Sequence, residues 1–282
     1  MELSEELLGP LFRQGTGEPG LSFVSLSSGS CGNCGLLTYG EHTIVLDAGI
    51  GIRKFQKYLE QLAINPKQIV GIFITHDHND HTRAAARLAH KFQWPIYASP
   101  AVVRSLLYHR MASAELSAYM RRMEVGDEVA LGDLRIRSFE VPHDATENVG
   151  YAIDTPVGRF TFVTDIGQVT PTVETEVAAA DFLVFESNYD REMLQNGSYS
   201  FHLKERITSG IGHLSNHESA KVLSEHISDR LRFLALCHLS GENNTPELAL
   251  TTHLNALQHR ELTDLQVVVL KRGECSPIYH LR

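Results

Sequence analysis

The stretch that most limits the fold of this chain is QIVGIFITHDHNDH, residues 68–81. Its first half is a near-continuous apolar run, as expected for a strand buried on both faces. Its second half places three histidines and two aspartates within six positions. Imidazole nitrogen and carboxylate oxygen are the donors that borderline divalent metals prefer. Side chains alternate along a strand, so His76 and His78 point the same way. Asp80 and His81 come a turn later, where the chain bends into an Ala-rich helix. That arrangement suits two neighbouring ions, one held mainly by the His-x-His pair and one by Asp80 and His81. A solvated polar loop has the same composition, so the rest of the chain must decide.

Three further apolar runs stop abruptly at a ligand-type residue. His143 follows SFEVP, Asp165 follows RFTFVT and His238 follows LRFLALC. A lone histidine at a strand end is usually structural. Three such endings together with the dense motif point to a metal centre. The remaining pattern reads as two similar halves. Strands are expected at 21–26, 35–39, 42–47 and 68–75, then at 128–130, 134–141, 149–154, 159–164, 181–186, 231–239 and 265–270. Helical spacing covers 52–63, the stretch after His81, 100–122 behind Ser99 as N-cap, 216–228 and 245–260. A long polar loop is expected from Ser187 to about Ser200. This order predicts an α/β fold, an αββα sandwich of two mixed β-sheets packed face to face with helices outside. Residues 1–20 read as a tail or short helix, and 21–282 as a single domain. No G-x-G-x-x-G follows the first strand, which argues against a dinucleotide-binding fold.

Bulk properties remove other classes. No apolar run reaches the roughly 18–20 residues that span a bilayer, and the acidic start lacks the features of a signal peptide, so a cytoplasmic protein without a membrane partner is expected. The net charge of -9 argues against a broad basic surface, though not against a local basic groove. Cys31 and Cys34 form a C-x-x-C in a Gly/Ser turn between strands. No second cysteine pair completes a zinc knuckle and no helix follows, so a tight turn of small residues is the preferred reading.

The set His76-x-His78-x-Asp80-His81, His143, Asp165 and His238 resembles the five-motif pattern of the metallo-β-lactamase superfamily, with Asp47 in IVLDAG fitting its first motif. The likeness runs over nearly the whole chain, from about residue 22 to 270. By this resemblance His76, His78, His143 and Asp165 bind one ion. Asp80, His81, Asp165 and His238 bind the other, with Asp165 bridging. SSGSCGNCGLL, PHDA, FESNYD, GHLSN and HLSGENN look like the YycJ-like (WalJ-like) branch. That branch implies a phosphodiesterase or nuclease, a 5′-to-3′ exonuclease on DNA among its described activities. The superfamily often has Gly three residues after the last His of its second motif. Ala84 stands there instead, and a local packing change is expected. The 73 residues from Asp165 to His238 leave no room for a β-CASP insertion.

The expected chemistry is a dinuclear hydrolysis, with two divalent ions (Zn²⁺ or Mn²⁺, Fe²⁺ also fitting the donors) sharing a hydroxide that attacks phosphorus. Asp80 is both ligand and catalytic residue. His213 is the candidate proton donor or phosphate ligand. Ser187, Asn188, Ser215 and Asn216 are candidate substrate contacts, and the last two equally suit an ordinary helix cap. The partner is nucleic acid, DNA first, or a small phosphodiester such as a cyclic phosphate. A thioester or lactone hydrolase is a more distant alternative. Arg83, Arg87 and Lys91 on one helix, or Lys204 and Arg206, could supply a local basic groove or form solvated faces.

Overall fold

The computed structural model describes residues 20–109, 114–260, 262 and 264–282, so the expected N-terminal tail lies outside the described residues. Two mixed sheets of seven strands face each other. The first holds β1 (Leu21–Ser27), β2 (Cys34–Tyr39), β3 (His42–Leu46), β4 (Ile69–Phe73), β5 (Ile96–Ala98), β6 (Met120–Arg122) and the late β14 (Tyr279–Leu281). Its spatial order is β14-β1-β2-β3-β4-β5-β6. The second holds β7 (Glu128–Leu131), β8 (Leu134–Glu140), β9 (Val149–Thr155), β10 (Gly158–Val163), β11 (Phe182–Glu186), β12 (Phe233–Cys237) and β13 (Gln266–Val269). Its order is β13-β12-β11-β10-β9-β8-β7. Each sheet has three antiparallel pairings followed by three parallel ones. The two halves read from the sequence therefore share one topology.

Period-two alternation assigns every central strand to two cores at once. In β11, Phe182 and Val184 face the space between the sheets, while Leu183 and Phe185 face the helices. In the inter-sheet core Phe23 of the first sheet meets Phe160 of the second, ring centroids 5.2 Å apart. Burying one such ring contributes about 2–3 kcal/mol. Helices α1 (Ile52–Gln61), α2 (Asn79–Thr82), α3 (Ala85–Phe92), α4 (Pro100–His109) and α5 (Ala114–Tyr119) belong to the first half. Helices α6 (Pro171–Ala179), α7 (Arg191–Asn196), α8 (Phe201–Thr208), α9 (Asn216–His226) and α10 (Pro246–Leu257) belong to the second.

Of the expected helix from Pro100 to Arg122, Pro100–His109 and Ala114–Tyr119 are helical, residues 110–113 lie outside the described residues, and Met120–Arg122 is the strand β6 instead. Helical spacing lost there to tertiary pairing, because Met120–Arg122 lies parallel to β5. The polar stretch after Ser187 is not a bare loop either. Asp190 caps α7 by accepting from the Met193 N–H at 2.9 Å, and Ser200 caps α8. Neither α6 nor β14 was anticipated from the sequence.

His253 of α10 is fully buried, its Nδ1 2.8 Å from the Ala249 carbonyl and its Nε2 3.0 Å from the Ser219 hydroxyl. Burial pushes this imidazole down to about 4, with the Ala249 carbonyl opposing the shift only in part. The folded pKa is lowered, so the unfolded chain takes up the proton first and stability is lost as pH falls from about 6.5 towards 4. Between pH 7 and 4.5 wild type should lose about 2–3 kcal/mol more than His253→Gln. Urea midpoints at the two pH values measure this, and an equal drop in both proteins would show that His253 carries no such load.

Candidate metal centre

All seven ligand residues expected from the sequence, and Asp47 with them, stand at strand ends along one rim of the sandwich. Asp47 follows β3, the His76–His81 loop follows β4, and His143, Asp165 and His238 follow β8, β10 and β12. The two sheets are tied together at this rim. Val149 donates its N–H to the Thr75 carbonyl at 3.1 Å, and the Tyr151 hydroxyl donates to the Ile74 carbonyl at 2.6 Å.

Three of these strand ends turn sharply. Asp47, Asp165 and His238 have φ of 59°, 50° and 56°, a left-handed backbone that costs a non-glycine residue about 1–3 kcal/mol. The neighbours hold each one in place. Asp47 N–H donates to the Phe73 carbonyl at 2.9 Å, and His238 N–H donates to Ser28 Oγ at 2.8 Å. The Asp165 carbonyl accepts from Asn148 Nδ2 at 2.8 Å. The metal loop is braced from below. The Asn33 and His81 carbonyls accept from the Gly49 and Ala48 N–H groups at 2.8 and 2.7 Å, and Ala84 N–H donates to the Ala48 carbonyl at 2.8 Å. A side chain at Gly49 would start 1.5 Å from the Asp80 carbonyl oxygen, so only glycine fits. Ala84 is fully buried between α2 and α3 and stands at the N-cap of α3.

Four of the imidazoles share one orientation, while His78 turns its Nε2 to the Asp144 carbonyl at 3.2 Å. Nδ1 of His81 meets Asp47 Oδ2 at 2.7 Å, and Nδ1 of His238 meets Glu186 Oε1 at 3.1 Å. Nδ1 of His143 meets the Gly212 carbonyl at 2.9 Å, and Nδ1 of His76 meets Thr75 Oγ1 at 3.0 Å. With Nδ1 held outward, Nε2 is left for the cleft. His76 Nε2 and His238 Nε2 are buried and lack a hydrogen-bond partner. Buried imidazole nitrogens are rarely orphaned, so these two fit a group that the protein itself does not supply.

The donors fall into overlapping sets. Atoms of His76, His78 and His143 lie within 4.8 Å of one another, as do those of Asp80, His81 and His238. Asp165 stands between the sets. Its Oδ1 is 3.7 Å from His143 Nε2 and 3.4 Å from His238 Nε2, and its Oδ2 is 3.2 Å from His81 Nε2. Nitrogen and carboxylate donors in sets of three, joined by one carboxylate, fit a pair of divalent cations. A further set, Asp165, Glu186, His213 and His238, also lies within 4.8 Å. Glu186 is better read as a brace there, because it faces the Nδ1 side of both imidazoles and also accepts from Leu214 N–H at 2.9 Å.

Charge is distributed unevenly. Burial and the neighbouring His81 hold the His76 imidazole well below its usual range, as suits a neutral ligand. Burial also lowers His143, against the pull of Asp165. At His81 burial acts downward, but Asp47 and Asp165 outweigh it and raise this imidazole well above its usual value. His238 is pushed up to about 10, burial again being overcome by Asp165, Asp80 and Glu186. Burial alone would raise Asp165, yet His238 and His81 hold its carboxyl well below the ordinary range.

Not every expected substrate contact reaches the cleft. Asn188 lines it, and so does His213, which is mostly buried and held at Nδ1 by Glu186 Oε1 at 2.8 Å. Ser187, Ser215 and Asn216 do not, and their expected substrate role is corrected here. Ser187 Oγ donates to Asn216 Oδ1 at 2.6 Å, and Asn244 Nδ2 donates to the same oxygen at 2.8 Å. Ser215 forms a full capping box with Glu218 at the start of α9. All three are buried and act as scaffold beneath the site. Lys204 is likewise engaged, donating to the Gln195 and Gly197 carbonyls at 2.8 Å. Arg206 pairs with Asp144, and Tyr199, Leu203 and Ile207 roof a cleft of about 260 Å³ over the donors.

Two residues escaped the sequence reading. Glu186 ends the run DFLVFE, the same abrupt stop that marked His143, Asp165 and His238. Asn33 sits in the C-G-N-C turn, its Nδ2 2.8 Å from His81 Nε2 and 3.4 Å from Asp80 Oδ2. The flanking Cys31 and Cys34 are free thiols.

A face-to-face sandwich with a histidine and carboxylate cleft at the strand ends defines the class of metallo-β-lactamase-fold hydrolases. The chain belongs to that superfamily: residues 42–234 match the family described as beta-lactamase superfamily domain. It is 34% identical over 230 residues to the exodeoxyribonuclease YycJ of Bacillus anthracis, covering 82% of this chain and 86% of that one. The exodeoxyribonuclease WalJ of Streptococcus pneumoniae is 34% identical over 245 residues, covering 87% and 91%. Among solved structures, the metallo-beta-lactamase fold protein YhfI of Bacillus subtilis superposes with a TM-score of 0.68 at 14% identity, covering 92% of this chain and 99% of that one.

His238, pushed up to about 10, carries a proton at neutral pH that a bound cation must displace, and Asp47 and Asp165 shift His81 in the same direction. Loading metal-free protein with Zn²⁺ should therefore release roughly one to two protons per chain. Calorimetric titrations in buffers of different ionisation heat read this number directly. Heats that do not change with buffer would mean the cation enters without displacing these protons.

Proposed function

We propose that this enzyme is a dinuclear metal-dependent phosphodiesterase that degrades single-stranded DNA from the 5′ end. The observation that carries the reading is one cleft shared by the two donor sets and a carboxylate-held histidine, His213. His76, His78, His143 and Asp165 hold one ion, and Asp80, His81, Asp165 and His238 hold the other. The bound ions supply Lewis acidity to the phosphoryl oxygens and bring the pKa of water from 15.7 to about 7. The relatives named as exodeoxyribonucleases support DNA as the polymer and chain trimming as the mode.

The protein's own residues supply the rest. Asp80 lines the cleft, and it stays ionised because contacts with His238 and His81 outweigh the upward push of burial. That charge lets it orient a water towards the phosphorus. His213 is raised above its usual value, since the Glu186 carboxylate outweighs burial. That shift favours the imidazolium, which can donate a proton to the departing alkoxide of an unactivated ester. Asn188 braces His238, donating from Nδ2 to the His238 carbonyl at 2.8 Å, and presents an amide edge to the cleft. The cleft of about 260 Å³ taken alone favours a second reading, hydrolysis of a small phosphodiester.

DNA labelled separately at its 5′ and 3′ ends decides between these readings. Protein loaded with Mn²⁺ or Zn²⁺ should release 5′ mononucleotides early, and His76→Ala should not. Loaded protein that leaves DNA intact while cleaving bis(p-nitrophenyl) phosphate would establish the small-ester reading instead. The role of His213 is tested by leaving group. His213→Ala should lose about 10²-fold or more in kcat on DNA. It should keep near-normal turnover of the p-nitrophenyl ester, whose leaving group needs no proton, and its full metal content. Equal losses on both substrates would remove His213 from proton transfer.

A further inference from the structure

A second and larger groove shares His78 as a common wall with the metal cleft. It measures about 570 Å³, against about 260 Å³ for the cleft itself. Ala86, Leu106, Leu116 and Met120 give it an apolar floor between α3 and the α4–α5 side. Its rim carries Arg83, in the turn that joins α2 to α3, and Arg87 of α3, both exposed. Neither guanidinium has an ion-pair partner among the described residues, and the only bond from either is Arg87 Nη2 to the Arg83 carbonyl at 3.4 Å. Lys91 continues the stripe one turn further on. The single carboxylate among the described lining residues, Asp77, is engaged by the Ser105 and Thr146 hydroxyls at 2.5 Å each. It stays ionised, and the two guanidinia outnumber its charge.

Two exposed guanidinia without an ion-pair partner among the described residues, on the rim of an apolar groove that shares His78 with the metal cleft, match one chemistry. We infer that this groove binds the single-stranded nucleic acid flanking the scissile phosphate, with Arg83 and Arg87 on consecutive backbone phosphates and a base against the aliphatic floor. The inference rests on the nuclease reading above and adds a polymer subsite to it. Its floor has no hydrogen-bonding edge to read a base, so the subsite accepts any sequence. A cyclic or otherwise small phosphodiester fills only the metal cleft and leaves this groove unused.

The test compares metal-loaded wild type, Arg83→Ala/Arg87→Ala and a charge-matched control, Lys57→Ala/Lys221→Ala, on oligothymidylate and on bis(p-nitrophenyl) phosphate. The arginine variant should show KM for the oligonucleotide raised roughly tenfold, with kcat and the small ester unaffected. The log–log salt dependence of oligonucleotide binding, followed by anisotropy on a phosphorothioate strand, should flatten by about 1.4, or about 0.7 for each phosphate no longer neutralised. The control should match wild type. Unchanged KM and salt slope in the arginine variant would overturn the groove, as would an equal change in the control, which would reduce the effect to net charge. Wild type that turns over the small ester but neither binds nor cuts the oligonucleotide would overturn the nuclease reading, and the groove with it.

Discussion

Asp47 and Glu186 are fully buried carboxylates that meet imidazole Nδ1 atoms, Asp47 at His81 (2.7 Å) and Glu186 at His213 (2.8 Å) and His238 (3.1 Å). A buried carboxylate costs several kcal/mol unless it is paired and hydrogen-bonded. Here the cost is offset from the backbone as well as from histidine. Asp47 also accepts from the Thr75 N–H at 2.9 Å and from its hydroxyl, while Glu186 accepts from the N–H groups of Leu214 and Ile166. These few bonds fix ring orientation, tautomer and loop path together. They also show why three left-handed residues persist at the rim. Asp47, Asp165 and His238 each turn the chain where a satisfied network holds the turn on both sides.

The donors were legible in the sequence because each interrupts a pattern. A buried strand tolerates no charge, so an apolar run that ends on His or Asp marks the rim of the sandwich. The same rule applies to Glu186, which escaped notice because a glutamate before SNYD reads as the start of a polar loop. Asn33 had no signal of its own. Its turn looked like two cysteines spaced by small residues, and only the fold places its amide against His81. Ser187, Ser215 and Asn216 mislead for the opposite reason. Hydroxyls and amides suit a phosphate, but they equally suit a helix cap and a buried polar network, and sequence carries no burial. The change from helix to strand at Met120–Arg122 was hidden because β6 exists only through pairing with β5.

The shared topology of the halves explains why one motif is dense and the others sparse. In the first half β4 leads straight into α2, so His76, His78, Asp80 and His81 arrive within a single turn. In the second half the donors come from separate strands, and register brings them together. Phe185 pairs with Leu236 and Val163 with Phe185, so the chain ends beyond β10, β11 and β12 emerge side by side. Asp165, Glu186 and His238 then meet across adjacent strands although they are distant in sequence.

An acidic protein that handles a polyanion presents a conflict only if net charge acts at long range. At physiological ionic strength the Debye length is about 8 Å, so exposed charges further away than that are largely screened. A strand passing the cleft therefore responds to what lies within a few ångströms. On one side that is a centre where Asp47, Asp80, Asp165 and Glu186 face His81, His213 and His238 and raise these imidazoles above their usual values. Each divalent ion that displaces a proton there adds positive charge to the same place. On the other side it is Arg83 and Arg87, with Asp77 already engaged by two hydroxyls. On the proposed function, the -9 carried by the whole chain limits unproductive binding elsewhere on the surface and leaves the metal rim as the place where an anionic strand would be attracted.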